Sequence, residues 1–260
     1  MKNTTTLRQQ IIETVTNRLQ PLPFVDALWE AGSAAFDAVD DYSDIDLMIV
    51  VADDAVEQTF NAVDAALREI SPISDRFRIP EPTWHGHSQI FYKLQGAGDY
   101  LQIDCVVMKA SSENRFLEPE LHGRPRILFD KTGAAEPAPF DWEAHNRLLA
   151  KRIGELTERF GRMQVYVKKG ILRRHEIDAF AFYRPMTLNP LIELLRIKHD
   201  PARHSWGLRY LHRHLSISNQ ARLTDLLYLQ DLYELEEQHA IAQKWFWRLA
   251  KELKEKYPEE

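Results

Sequence analysis

The sequence predicts an α+β protein in two parts: a mixed N-terminal part and an all-α C-terminal helical bundle. Three observations predict it. Up to about residue 131, strand-like and helix-like segments alternate. From about residue 140 almost every apolar pattern has helical spacing. Between them lies Thr-Gly-Ala-Ala-Glu-Pro-Ala-Pro, residues 132–139, which has the composition of a linker. The expected division is 1–135 and 136–260. A chain of 260 residues suits one large domain or two modest ones.

Leu7, Ile11, Ile12, Val15 and Leu19 share one helical face, predicting an amphipathic helix over 4–19, stopped by Pro21 and Pro23. Residues 24–29 read as a short buried strand. Gly32-Ser33 reads as a tight turn that opens a short helix over 33–39. Asp40, Asp41 and Ser43 supply turn chemistry, and 44–51 is a second strand. Asp53 is the expected N-cap of a helix over 55–70, with Val56, Phe60, Val63, Leu67 and Ile70 on one face. Residues 74–82 read as irregular. Strands over 87–94 and 100–109 flank Gly96-Ala97-Gly98-Asp99, a four-residue hairpin loop, and 127–129 is a further short strand. In the second half, helices are expected near 142–160, 164–174, 177–183, 188–199, 218–238 and 240–256, with breaks at Pro185, Pro190 and Pro201. Trp245-Phe246-Trp247 reads as core of that half.

Composition excludes several classes. Hydrophobic content of 44% and charged content of 28% are those of an ordinary soluble domain, and no apolar run is long enough to span a bilayer. Residues 1–6 lack the apolar core of a secretory leader. One cysteine, Cys105, excludes an internal disulfide framework and agrees with a reducing cytoplasm. Residues 1–135 carry 12 Lys/Arg and 21 Asp/Glu; residues 136–260 carry 21 and 18, which leaves the chain at −6. An acidic first half without basic arrays speaks against a nucleic-acid partner. No membrane partner is expected, and a homodimer is left open.

The chemistry concentrates in Asp44-Ile45-Asp46. Side chains alternate along a strand, so Asp44 and Asp46 are expected on one face. Two carboxylates there repel unless a cation lies between them, and Mg²⁺ is usually held by one or two carboxylates together with substrate phosphates. Asp104, inside Ile103-Asp104-Cys105, is a third charge among strand formers. If the two strands are neighbours, the three carboxylates converge, a geometry that suits two metal ions bridging a nucleoside triphosphate. Gly32 lets backbone approach a phosphate, Ser33 adds a hydroxyl at a helix start, and Ser43 adds another beside Asp44.

Gly32-Ser33, a ten-residue gap, Asp44-Ile45-Asp46-Leu47 and a later strand aspartate together resemble the signature of the polymerase-beta-like nucleotidyltransferase superfamily. The helical second half, at this length, is similar to the antibiotic nucleotidyltransferases of the aminoglycoside and lincosamide type. The resemblance implies a mixed sheet flanked by helices and transfer of a nucleoside monophosphate, AMP from ATP first of all, to a hydroxyl of a small molecule, with release of pyrophosphate. It implies that Asp44, Asp46 and Asp104 bind two Mg²⁺ ions, with Asp104 nearest the acceptor hydroxyl, and that Gly32 and Ser33 hold the triphosphate. Some antibiotic-modifying relatives use a glutamate as base, for which Glu113, Glu118 and Glu120 are loose candidates. A protein-modifying adenylyltransferase and a non-catalytic nucleotide-binding module are the alternatives.

Lys198 and Arg209 sit in a stretch rich in cations and aromatics and are the expected triphosphate contacts from the second half; the competing reading is an inter-helix loop with core aromatics. His85 and His87, like His212 and His214, read as surface or loop residues. Cys105 is expected to face away from Asp104, into the core.

Overall fold

Short apolar runs of the first part become the inner strands of one sheet. The computed structural model describes residues 4–258; residues 1–3, part of the N-terminal stretch read for a leader, and 259–260 lie outside the described residues. The chain divides into two compact units, Met1–Phe140 and Asp141–Glu260.

In the first unit, β1 (Val25–Glu30), β2 (Ile45–Val51), β3 (Ile73–Arg78), β4 (Ser88–Leu94), β5 (Ile103–Lys109) and β6 (Arg126–Asp130) lie in the order β3-β4-β5-β2-β1-β6. β2 and β5 pair in parallel and the other neighbours are antiparallel, so the sheet is mixed. The two parallel strands are central and mostly buried, which is why they read as apolar runs and not as alternation. One face sets Leu47, Ile49, Cys105 and Val107 against α1 (Thr4–Leu19) and α3 (Val56–Ile70). The other sets Trp29, Val50, Val106 and Met108 under Leu117, Ala134 and Ala135. The single turns α2 (Gly32–Ala35) and α4 (Pro119–His122) complete the unit.

Three expectations are corrected here. Residues 74–82 contain β3. As an edge strand that is mostly exposed, it has no buried face and hence no alternation to read. Arg76 and Arg78 tie it to α3, at 3.1 Å from Asp64 and 2.7 Å from Glu57. Asp53 does not cap α3, which opens after Ala55 with no side-chain cap; its carboxylate accepts from the N–H of Ser111 at 3.0 Å. Residues 132–135 are not free chain. The Asp130 carboxylate accepts from the N–H groups of Thr132, Gly133, Ala134 and Ala135, folding the two alanines onto the sheet.

The second unit contains α5 (Trp142–Leu172), α6 (Glu176–Tyr183), α7 (Asn189–His199), α8 (Leu211–His214), α9 (Ile217–Leu227) and α10 (Leu232–Lys256). α5 is one helix of 31 residues where two were expected. Phe160 stacks on Phe246 at 3.6 Å, and Gly161 faces the Trp247 ring, so packing against α10 outweighs the roughly 1 kcal/mol cost of a mid-helix glycine. Pro185 does not break the chain: a π-helical turn, Arg184–Leu188, absorbs it, and Pro190 falls in the first turn of α7. The helix expected over 218–238 is interrupted, because the Asp231 carboxylate caps a new start by accepting from Tyr233 and Glu234. Trp245 and Phe246 are core, whereas Trp247 is 45% exposed. Among the described residues no helix is long and apolar enough to cross a membrane.

Beside the π turn lies a buried polar knot. Thr187 Oγ1 donates to Gln164 Oε1 at 2.7 Å, and His239 Nε2 stands 2.8 Å from the same oxygen. Burial pushes the His239 pKa from its ordinary 6.5 down to about 4, with Lys168 adding to the shift. The unfolded chain therefore takes up this proton at a higher pH than the folded one. Its stabilising contribution is complete above pH 6.5 and is lost as pH falls towards 4, on the order of 3 kcal/mol in all. Urea midpoints of the second unit's transition should fall from pH 7.5 to 4.5, and His239→Gln should flatten that dependence.

Candidate active site

Asp46 and Asp104 are register partners across the parallel β2–β5 pair, so their side chains leave the same face at the N-terminal ends of both strands. Both are half-buried. Asp44 lies directly before β2. A buried charge cluster fixes its backbone. The Arg8 guanidinium donates to the carbonyl of Asp44 and, at 3.4 Å, to that of Ser43, and it pairs with Glu30. Glu30 is fully buried and also receives Arg126 at 3.3 Å. Neither Arg8 nor Glu30 was found from sequence. The available signals were a charge on the apolar side of α1 and a carboxylate closing an apolar run.

Gly32 adopts φ +55°, and a Cβ there would stand 1.7 Å from Oδ2 of Asp46. The N–H of Ala31 donates to the Asp46 carbonyl at 2.9 Å, which locks this turn onto β2. Only a residue without a side chain fits so close to the carboxylate. The helix expected over 33–39 is the single turn α2, ending before Asp37 at φ +51°. Ser33 is buried and its hydroxyl finds no partner, an orphan that a ligand oxygen would satisfy. Ser43 is engaged in the turn that delivers Asp44: its hydroxyl donates to Oδ1 of Asp40 at 2.8 Å and accepts from the Asp40 N–H at 2.9 Å.

Gln89, another residue missed from sequence, donates through Nε2 to both carboxylate oxygens of Asp104, at 2.7 and 2.9 Å. It lies diagonally across the β4–β5 pair, since Phe91 is opposite Asp104 and Gln89 opposite Val106. Behind it, His85 Nε2 stands 3.1 Å from Gln89 Oε1. His85 and His87 are loop residues, as expected, but they are packed and not open surface: His85 is half-buried and His87 buried. His87 is 5% exposed, burial lowers its pKa, and its ring stacks on that of His85 at 5.3 Å with Phe116 edge-on at 5.4 Å. A histidine directly before a strand and another two residues earlier, beside a glutamine inside the strand, were the available signal.

The glutamate candidates lie in α4 and in the segment leading into it. Glu113 and Glu118 line a cavity of about 310 Å³ with Arg115 and Glu136. Glu118 lies 3.6 Å from His122, and one carboxylate oxygen of Glu120 is buried without a partner. Cys105 faces the opposite side of the sheet, buried, its thiol pKa pushed up by burial and by Asp104.

Lys198 and Arg209 lie in the second unit. Lys198 pairs with Glu252 at 2.7 Å, while the Arg209 guanidinium lies over Trp206 and Tyr210 at 5.1 and 5.4 Å. Buried Arg196 shapes that loop, donating to the carbonyls of Gly207 and Arg209 and to Asp200 at 2.9 Å. His214 faces Asp200 at 3.5 Å.

Among the described residues no three His, Cys, Asp or Glu side chains close around one point. The donor set nevertheless fits magnesium: two carboxylates paired in register, a third carried by the residue directly before β2, and oxygen donors throughout. Magnesium takes one or two protein carboxylates and completes its shell with water and phosphate oxygens.

No protein-family model matches the chain, and no curated protein matches it. It is similar in structure to solved nucleotidyltransferases. An aminoglycoside 6-adenyltransferase from Bacillus subtilis superposes with a TM-score of 0.41 at 13% identity, over 97% of this chain and 92% of that one. A nucleotidyltransferase-like protein from Exiguobacterium sibiricum gives 0.40 at 12% identity, over 95% and 75%. A spectinomycin adenyltransferase from Enterococcus faecialis, solved with ATP and spectinomycin, gives 0.33 at 12% identity, over 95% and 97%.

Proposed function

We propose that this chain is a magnesium-dependent nucleotidyltransferase that moves a nucleoside monophosphate, AMP from ATP first of all, onto a hydroxyl of a small molecule. The observation that carries the reading is the register pairing of Asp46 with Asp104, with the Gly32 backbone pressed against Asp46. Asp44, Asp46 and Asp104 would hold two Mg²⁺ ions, which when bound offset the charge that develops on the phosphoryl group and the leaving pyrophosphate. The Gly32 turn admits a triphosphate close to the backbone, and the unpaired Ser33 hydroxyl donates to one of its oxygens. Ser43 acts through the turn that sets Asp44. Asp104, held by Gln89, takes the proton of the acceptor hydroxyl. The acceptor oxygen bonds to the α-phosphorus, the bond from that phosphorus to the bridging oxygen breaks, and pyrophosphate leaves. Catalysis is positioning plus charge stabilisation.

Supplying the protein with Mg-ATP and a panel of aminoglycosides, lincosamides and nucleotides tests the reading. At least one acceptor should release pyrophosphate in stoichiometric step with adenylylated product. Absence of both Mg-ATP binding and pyrophosphate release across the panel ends it.

A further inference from the structure

We propose that His85 and Gln89 are positioning residues for Asp104, forming a directed hydrogen-bond relay from the backbone of the 83–87 loop to both oxygens of that carboxylate. The inference rests on the nucleotidyl-transfer reading and deepens it.

Donor and acceptor rules orient every step. The N–H of His87 stands 3.1 Å from His85 Nδ1. A backbone N–H only donates, so Nδ1 is the acceptor and carries no hydrogen. The neutral ring then bears its proton on Nε2, 3.1 Å from Oε1 of Gln89. That oxygen accepts, which turns the other end of the amide, Nε2, toward Asp104 at 2.7 and 2.9 Å. Thr83 is consistent with this assignment. Its hydroxyl proton goes to the His87 carbonyl at 2.6 Å, and its contact with His85 Nδ1 is longer, at 3.3 Å.

His85 and Asp104 hold the amide the same way round: the ring gives its Nε2–H to Oε1, and an amide turned end for end would set its oxygen against the carboxylate, acceptor against acceptor. The His85 ring is itself held in place, stacked on His87 at 5.3 Å, with the rings of Trp84 and Phe116 edge-on at 5.1 and 5.9 Å. One amide nitrogen bonded to both oxygens sets the plane of the Asp104 carboxylate. Partners of this kind, one layer behind a metal ligand, typically change metal affinity or activity by about 10- to 100-fold when removed.

Three measurements on the full chain test the relay. Long-range ¹H–¹⁵N correlation spectra should show His85 as the Nε2–H tautomer in the parent protein and still in Gln89→Leu, where the His87 N–H continues to donate to Nδ1. Mn²⁺ affinity without nucleotide, read by electron paramagnetic resonance, should weaken about tenfold in both Gln89→Leu and His85→Phe. In both, kcat should fall by about the same factor with KM for ATP little changed, and His85→Asn, whose amide can still donate to Gln89, should recover part of the loss. An Nδ1–H tautomer in the parent protein overturns the relay, as does Gln89→Leu with unchanged Mn²⁺ affinity and kcat. If the variants do not fold, the parent tautomer decides. If the parent protein neither binds Mn²⁺ nor turns over, with its Nε2–H tautomer intact, the transfer reading falls and takes the positioning role with it.

Discussion

Asp44→Asn with Asp46→Asn is expected to abolish metal-dependent ATP binding and to lower kcat/KM by at least about 10³-fold, with little effect on folding. Asparagine keeps the size and most hydrogen bonds of each side chain but removes the charge that a hard cation requires. Both residues are accessible enough for the neutral form to remain solvated. The measurement is calorimetric titration with Mg-ATP, run with and without a chelator. Unchanged magnesium-dependent binding in the double variant would end the account of this site. Gly32→Ala is the complementary test, because it removes no carboxylate. Its Cβ would sit 1.7 Å from Asp46 Oδ2 on a backbone at φ +55°, so either the turn or the carboxylate must move. A displacement of about 1 Å at a reacting centre costs about 10²-fold. Loss of activity with a small change in unfolding midpoint is the expected pattern.

Arg8→Met should be the most destabilising single change in the first unit, by about 3–5 kcal/mol. Glu30 is fully buried, and Arg8, 9% exposed at its side chain, is its closer partner. Arg126 remains, but at 3.3 Å and half-exposed, so it compensates only part of the buried charge. The first unit's thermal midpoint should drop by roughly 10 °C. Arg8→Met combined with Glu30→Gln should recover part of the loss, because no buried charge is then left unpaired. A double variant as unstable as the sum of the two single changes would contradict this. Activity should fall in Arg8→Met even where the fold survives, since Arg8 also holds the carbonyls of Ser43 and Asp44.

Much of the framework was legible because it has a period. α1 and α3 follow from apolar spacing and the two central strands from short continuous apolar runs, and a charge inside an apolar strand is conspicuous without any structure, as Asp46 and Asp104 show. β3 was invisible because an exposed edge strand has no buried face to leave a pattern. The 31-residue α5 and the passage through Pro185 were misread because local breaking signals were overruled by packing between distant helices. Asp53, a fair cap by its position, instead accepts from Ser111, 58 residues away.

By itself the sequence determined that three aspartates stand in or beside two strand segments, and that a glycine-serine turn precedes the first of them. Those facts follow from residue type and local period. Only the tertiary structure decided that β2 and β5 pair in parallel with Asp46 opposite Asp104, that Gly32 abuts Asp46, and that Arg8, Glu30, Gln89 and His85 support the carboxylates. Register and side-chain convergence are long-range contacts between segments up to 58 residues apart, and no local pattern encodes them.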